Sequence, residues 1–277
     1  MVKKDFQQKK IYSCFPNGKN KALTMSYDDG TCDDKKLVDI FNRNGIKGTF
    51  NLNSGITGKY VINLSEISDV YRGHEVAAHS YSHTNLVRIP EYQVIQQIML
   101  DRYTLEKHCG YPVRGMALPY GTHNPEMIDL IKDCGIEYCR TTGSTDEFLL
   151  PENFMLWKPT CKHDHNLMEN AKRFVEIKNT EHLYLMSVWG HSFEFVREQG
   201  TNWKNIQDFC EFIGGRNDIW YATNIEIVDY INAVKKLKYT ADCSKVLNMS
   251  SISVWIKVNE TIHEILPGQI IKCFIDD

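Results

Sequence analysis

The sequence has no C-x-x-C pair, no block of like charge, no long apolar run and no internal repeat. Each absence removes a class of protein. Its nine cysteines are scattered and odd in number, and a chain of 277 residues can bury a core large enough to need no disulfide framework. Idle or buried thiols in a reducing compartment are the expectation. Lys and Arg number 32 against 35 Asp and Glu, a net charge of −3, so no basic field points to nucleic acid. The first ten residues are polar and lysine-rich, without the apolar centre of a signal peptide, and no stretch reads as a membrane span. These features predict a cytoplasmic chain with neither nucleic-acid nor membrane partners. Composition is otherwise that of a globular protein, 42% hydrophobic and 24% charged.

What is present is a strand–helix alternation that runs to about residue 238. Ala22 to Tyr27 reads as a strand, and Asp33 or Asp34 caps a helix carrying Leu37, Ile40 and Phe41 on one face. Strands follow at Ile46–Leu52, Glu75–Ala78, Val113–Leu118, Ile136–Thr141, Met155–Thr160, Leu183–Trp189 and Ile219–Ala222. Helices fall between them, the longest from Pro90 to His108 with Ile95, Ile98, Met99 and Leu105 toward the core. This order predicts an α/β fold with a parallel sheet, open or closed into a barrel. The tail changes character: Ile252–Val258 and Ile270–Ile275 alternate like antiparallel strands. Residues 1–238 are therefore expected as one domain and 239–277 as a small β-rich C-terminal extension.

Chemistry concentrates just after strands, where α/β folds place their sites. The first strand runs into Ser26-Tyr27-Asp28-Asp29-Gly30. Adjacent acids are commonplace in solvated turns. At a strand end, however, each resists burial of the other, and the pair makes sense if one carboxylate binds a cation while the other handles a proton. His79 and His83 are four apart, the spacing that puts two imidazoles on one face of a helical turn, and with a carboxylate they would make a divalent-metal site.

The order Ser26-Tyr27-Asp28-Asp29-Gly30, Gly73-His74-Glu75-Val76-Ala77-Ala78-His79-Ser80-Tyr81-Ser82-His83, Leu118-Pro119-Tyr120-Gly121 and Trp189-Gly190-His191 resembles the NodB-homology polysaccharide deacetylases, carbohydrate esterase family 4, from about Lys21 to Lys236. The resemblance implies a distorted (β/α) barrel and a metal-dependent hydrolase removing N- or O-acetyl groups from an acetylated carbohydrate. It implies Asp29, His79 and His83 as metal ligands, Asp28 as general base, the Tyr120 N–H as oxyanion donor and His191 as catalytic acid. Zinc is the expected ion, with cobalt, nickel and manganese tolerated by the same ligands. Tyr120 and Trp189 are candidates for the substrate, and Glu194 is a candidate either to orient His191 or to touch the substrate.

Three motifs depart from the family, the first only mildly, with Ser26-Tyr27 where Thr-Phe is usual. The third usually begins with an arginine that pairs with the base, and Ala117 stands there. The fourth usually has Asp-x-Asp-Trp, and the chain has Thr141-Thr142-Gly143-Ser144. Arg140, at the end of the preceding strand, is the candidate replacement for the missing cation, with Arg114 as its rival. His74 reads as a structural histidine. His163-Asp164-His165 offers a second cluster whose period-two spacing equally suits a plain loop. Three rival readings stay open: the same fold acting on a small non-sugar amide, a non-catalytic carbohydrate-binding relative, and an Fe(II) oxygenase using two histidines and one carboxylate. Oligomeric state is not legible.

Overall fold

In chain order the computed structural model, which describes residues 10–197 and 200–273, contains β1 (Ile11–Cys14), β2 (Lys21–Asp28), α1 (Asp34–Arg43), β3 (Gly48–Leu52), α2 (Ile67–Val70), β4 (Glu75–Ala78), α3 (Glu91–Cys109), β5 (Gly115–Ala117), α4 (Pro125–Asp133), β6 (Tyr138–Arg140), β7 (Cys161–Lys162), α5 (Leu167–Glu176), β8 (Tyr184–His191), α6 (Glu194–Arg197), α7 (Trp203–Ile213), β9 (Ile219–Tyr221), α8 (Asn224–Lys235), β10 (Leu237–Tyr239), β11 (Lys245–Asn248), β12 (Val254–Val258), β13 (Thr261–Ile265) and β14 (Ile270–Lys272). Local signals explain several boundaries. Asn124 caps α4 through its side chain onto the Met127 N–H at 2.8 Å, Pro125 sits at the first helical position, and Thr223 with Glu226 forms a capping box on α8.

Eight strands make one parallel sheet in the order β6-β5-β4-β3-β2-β8-β7, with β9 paired to the first half of β2. β2 is buried at every position, as a strand covered on both faces must be. The sheet curls into a distorted (β/α) barrel. Its two ends meet through irregular backbone: Trp157 N–H donates to Cys139, Thr141 N–H to Trp157 and Thr160 N–H to Ser187. The strand expected over 155–160 is thus a 3-10 turn, Phe154–Leu156, followed by this seam, because the seam bonds alternate between two neighbours rather than one ladder. The main core fills the barrel and its helical ring around Leu23, Met25, Phe41, Phe50, Ile98 and Met186.

α3 departs from its expected facing. Ile98 and Leu105 are buried, but Ile95 and Met99 lie on the open side, 40 and 45% exposed. Apolar residues surround this helix, so periodicity could not say which of them face inward.

The C-terminal strands form two antiparallel sheets, β1-β12-β13 and β10-β11-β14. They share a core cluster of Val246, Val254, Ile256 and Ile265 with Ala233 and Leu237. Strand β1 comes from the chain's other end, and the boundary expected at 238 falls inside β10. Ile275 lies outside the described residues. No helix among the described residues is long and apolar enough to cross a membrane.

Asp34, Glu75 and Asp101 are three of the buried carboxyls. Burial pushes each up to about 7 against the donors that surround it. Glu75 accepts from Thr49 Oγ1 at 2.8 Å, the Tyr138 hydroxyl at 2.9 Å and the Ile225 N–H at 3.0 Å, joining β3, β6 and α8. A carboxyl held above its unfolded value binds protons more tightly in the folded chain. Its stabilisation is complete below about pH 4 and is lost as pH rises through about 7. Replacing Glu75 with Gln is therefore expected to flatten the pH dependence of urea stability, removing a fall of about 2–3 kcal/mol between pH 5 and 8. Parallel curves for the two proteins would contradict this.

Candidate active site

Strand register gathers the site. Asp28 ends β2 level with Asn51 of β3 on one side and His191 of β8 on the other. Arg140 ends β6 level with Ala117 of β5. His79 follows β4, and its N–H donates to the Leu52 carbonyl at 2.9 Å. All these residues therefore stand on the C-terminal rim of the barrel.

Asp29, His79 and His83 converge. One Asp29 oxygen, Oδ1, lies 3.7 Å from Nε2 of both imidazoles, and the three ligand atoms all lie within 4.8 Å of one another. Donors about 2.1 Å from a tetrahedral ion stand roughly 3.4 Å apart, so this trio fits a divalent cation and is too wide for direct hydrogen bonds. His79 Nδ1–H donates to the Ala117 carbonyl at 2.8 Å, which leaves its Nε2 lone pair facing Asp29. Burial lowers the His79 pKa, although Asp28 and Asp29 pull it upward, and the neutral imidazole is the form that ligates. The helical turn expected over 79–83 is absent: Ser80 and His83 take left-handed φ of 63° and 53°, and these two reversals bring the rings together at 4.8 Å.

Asp101 of α3 braces this turn, accepting from the His79 N–H at 3.0 Å and from the N–H and Oγ of Ser54. Asn53 donates to the His79 and Ser80 carbonyls. Nothing in the sequence pairs Asp101 with His79.

Asp28 is buried and its carboxylate receives the Arg140 guanidinium, with Asn51 Nδ2 donating to Oδ1 at 2.9 Å. Its Oδ2 faces the site, 3.9 Å from Nε2 of both His79 and His191. Burial alone would raise this carboxyl. Arg140, then His79 and His191, outweigh burial and hold it below the usual range. Arg140 is itself buried and stacks on the Trp189 ring, 4.8 Å from its centroid. Because Ala117 and Arg140 are cross-strand neighbours, a cation on β6 reaches the carboxylate that a cation on β5 would reach. Arg114 is excluded, since it pairs with Glu137 and Asp229. Arg140→Met is expected to cost about 3–5 kcal/mol in urea unfolding by leaving a buried charge alone. Arg140→Lys should recover part of that loss. A change below 1 kcal/mol would show that Asp28 needs no partner.

His191 lies on the other side of the acids, 4.0 Å from Asp29 Oδ2. Its Nδ1 is 3.3 Å from Glu194, which also accepts from the His191 N–H. Glu194 further meets Lys162 Nζ and His163 Nε2, each at 2.8 Å. Of the two roles open to Glu194, its inward facing, 7% exposed and against His191, favours orienting the imidazole over touching substrate. Burial opposes charge on His191, but Glu194 and then Asp28 raise its pKa. Gly190 is obligatory here, because a Cβ would stand 2.3 Å from the His163 ring. His163 therefore belongs to this network, while His165 is exposed. Neither joins a cluster of metal-ligating side chains among the described residues. His74 is structural: it accepts from the Gly48 N–H at 3.0 Å, and burial pushes it down to about 4.

Tyr120 takes φ +62° in the turn Pro119–Gly121, and its ring packs on His83 with centroids 4.7 Å apart. Its N–H makes no hydrogen bond among the described residues. Asp29 is also left-handed, at φ 76°. Non-glycine residues held there are strained, and Asp29, Ser80, His83 and Tyr120 concentrate that strain at one site. Trp189 is 8% exposed beneath Arg140.

The sequence profile of the family described as polysaccharide deacetylase matches residues 15–139. That stretch, just under half of the chain, resembles the polysaccharide deacetylase family. It shares 36% identity over 81 residues with a chitin deacetylase of Arthroderma benhamiae, 28% of this chain and 21% of that one. It shares 27% over 116 residues with a peptidoglycan-N-acetylglucosamine deacetylase of Listeria monocytogenes, 40% and 24% of the two chains. The chain thus spans about a quarter of the length of these relatives. In fold it is similar to a crystallised polysaccharide deacetylase from Mycobacterium smegmatis, with TM-score 0.61, 16% identity and coverage of 81% and 94%. The family match ends one residue before Arg140 and leaves out His191 and Glu194.

Proposed function

We propose that this chain is a metal-dependent hydrolase that removes N- or O-linked acetyl groups from a carbohydrate. The observation that carries the reading is the convergence of Asp29, His79 and His83 beside a buried Asp28 held by Arg140. Relatives named for chitin and for peptidoglycan N-acetylglucosamine point to an acetylated amino sugar as the substrate class.

Asp29, His79 and His83 would hold the ion, zinc first, with cobalt, nickel or manganese suited to the same donors. A bound divalent cation supplies Lewis-acid chemistry, polarising the acetyl carbonyl and lowering the pKa of a water toward about 7. Asp28 Oδ2 takes the proton of the attacking water, a contribution of roughly 10²–10⁴ in rate. Arg140 and Asn51 keep that carboxylate ionised and aimed. The Tyr120 N–H donates to the carbonyl oxygen as it becomes an oxyanion, and one such donor is worth about 3–4 kcal/mol. His191, charged beside Glu194, gives its proton to the leaving nitrogen or oxygen. The C–N or C–O bond then breaks, and acetate and the free amine or hydroxyl separate. Tyr120 and the rim of Trp189 border the sugar.

Acetate release from chitin oligosaccharides, compared with small cyclic amides, tests the reading. Release from the sugars by metal-loaded protein supports it. Turnover of the amides alone, or metal binding without hydrolysis of either, would overturn it.

A further inference from the structure

The open side of α3 carries five large apolar side chains, Tyr92, Ile95, Met99, Leu100 and Tyr103, each between 40 and 68% exposed. The helix packs its other sides on α2, α4 and β4. Between Glu91 and Lys107 no exposed residue of α3 is charged. Neither Glu91 nor Lys107 takes part in an ion pair among the described residues, whereas Arg102 and the partly exposed Glu106, two turns after Met99 on the same side, pair with each other.

The spacing of this stripe is self-complementary. Residues 91, 95, 99, 103 and 107 recur every four positions along one ridge. Reversing the helix about Met99 sets Ile95 against Tyr103, Met99 against itself and Glu91 against Lys107. Ridges of every fourth residue interdigitate when two helices cross at roughly −50°, and that crossing keeps the charged ends, about 12 Å from the centre, alongside each other. A twofold interface requires one patch to match itself in this way.

We propose that the exposed face of α3 binds a second copy of this chain as an antiparallel α3–α3 pair, with Met99 on the twofold axis and Glu91 of each copy against Lys107 of the other. Five apolar side chains a side make a small interface by the standard of stable dimers, so the pair is expected to be weak and concentration-dependent. The inference is independent of the proposed chemistry.

Sedimentation velocity on the full chain across a concentration series reads the dimer. Met99→Glu is expected to weaken it more than about a hundredfold, by setting like charges together at the axis. At dilutions where the wild type is monomeric its melting temperature should not change, since the side chain is exposed. Glu91→Lys or Lys107→Glu alone should each weaken the dimer about tenfold, and the double exchange should restore it. A chain that stays monomeric at several hundred micromolar would overturn the proposal. So would a dimer indifferent to Met99→Glu, or single charge reversals that the double exchange fails to rescue.

Discussion

His79→Ala and His83→Ala are each expected to lose bound metal and acetate release together, while the chain stays folded. Each imidazole lies 3.7 Å from the same Asp29 oxygen, so removing either leaves two donors where a divalent cation needs three protein ligands. The loss of affinity should exceed the roughly 10–100-fold that removing an outer hydrogen-bond partner costs. The two variants differ in a useful way. His79 is buried and hydrogen-bonded to Ala117, so its removal opens a cavity and lowers stability as well. His83 is partly exposed, and its removal isolates the ligand role. Elemental analysis after dialysis, beside an acetate assay, reads both effects. Chelator-treated wild-type protein should match His83→Ala and recover on adding zinc. Full activity with stoichiometric metal in His83→Ala would remove that residue from the ligand set.

Asp28→Asn is expected to keep its metal and lose roughly 10²–10⁴ in turnover, because the amide cannot take the proton of water. The same change leaves Arg140 buried against a neutral group, so stability falls too, on the order of 3–5 kcal/mol. A second variant separates these effects. In Asp28→Asn/Arg140→Met the uncompensated charge is gone and stability should largely return, while turnover stays lost. If the double variant regains activity along with stability, Asp28 acts only as the anchor of Arg140 and the base lies elsewhere. Single-variant turnover within threefold of wild type at full metal occupancy would have the same meaning.

How much of this site the sequence carries differs from residue to residue. Asp28, Asp29, His79 and His83 are legible because each follows a strand directly, and strand ends are where a parallel barrel exposes side chains. Arg140 could be reached by elimination, since an arginine at the end of the next strand stands where the motif arginine is absent. Glu194 was legible as a neighbour of His191, but not as a group facing inward to Lys162 and His163, because only the pairing of β7 with β8 brings those residues beside it. Asn51 and Asp101 were invisible. One depends on the register of β3 against β2, the other on which side of an apolar-all-round helix faces the barrel.

By itself the sequence determined the alternation of strands and helices, the parallel α/β class and the order of the chemical groups along the chain, because hydrophobic period, caps and strand-end motifs are local properties. Only the tertiary structure decided that the imidazoles meet through left-handed turns rather than a helix, that Arg140 reaches Asp28 across a strand pair, and that α3 presents Tyr92, Ile95, Met99 and Tyr103 to solvent. Those outcomes depend on register, backbone reversal and the direction of approach of distant segments. Such relations hold between parts of the chain far apart in sequence, and no local pattern encodes them.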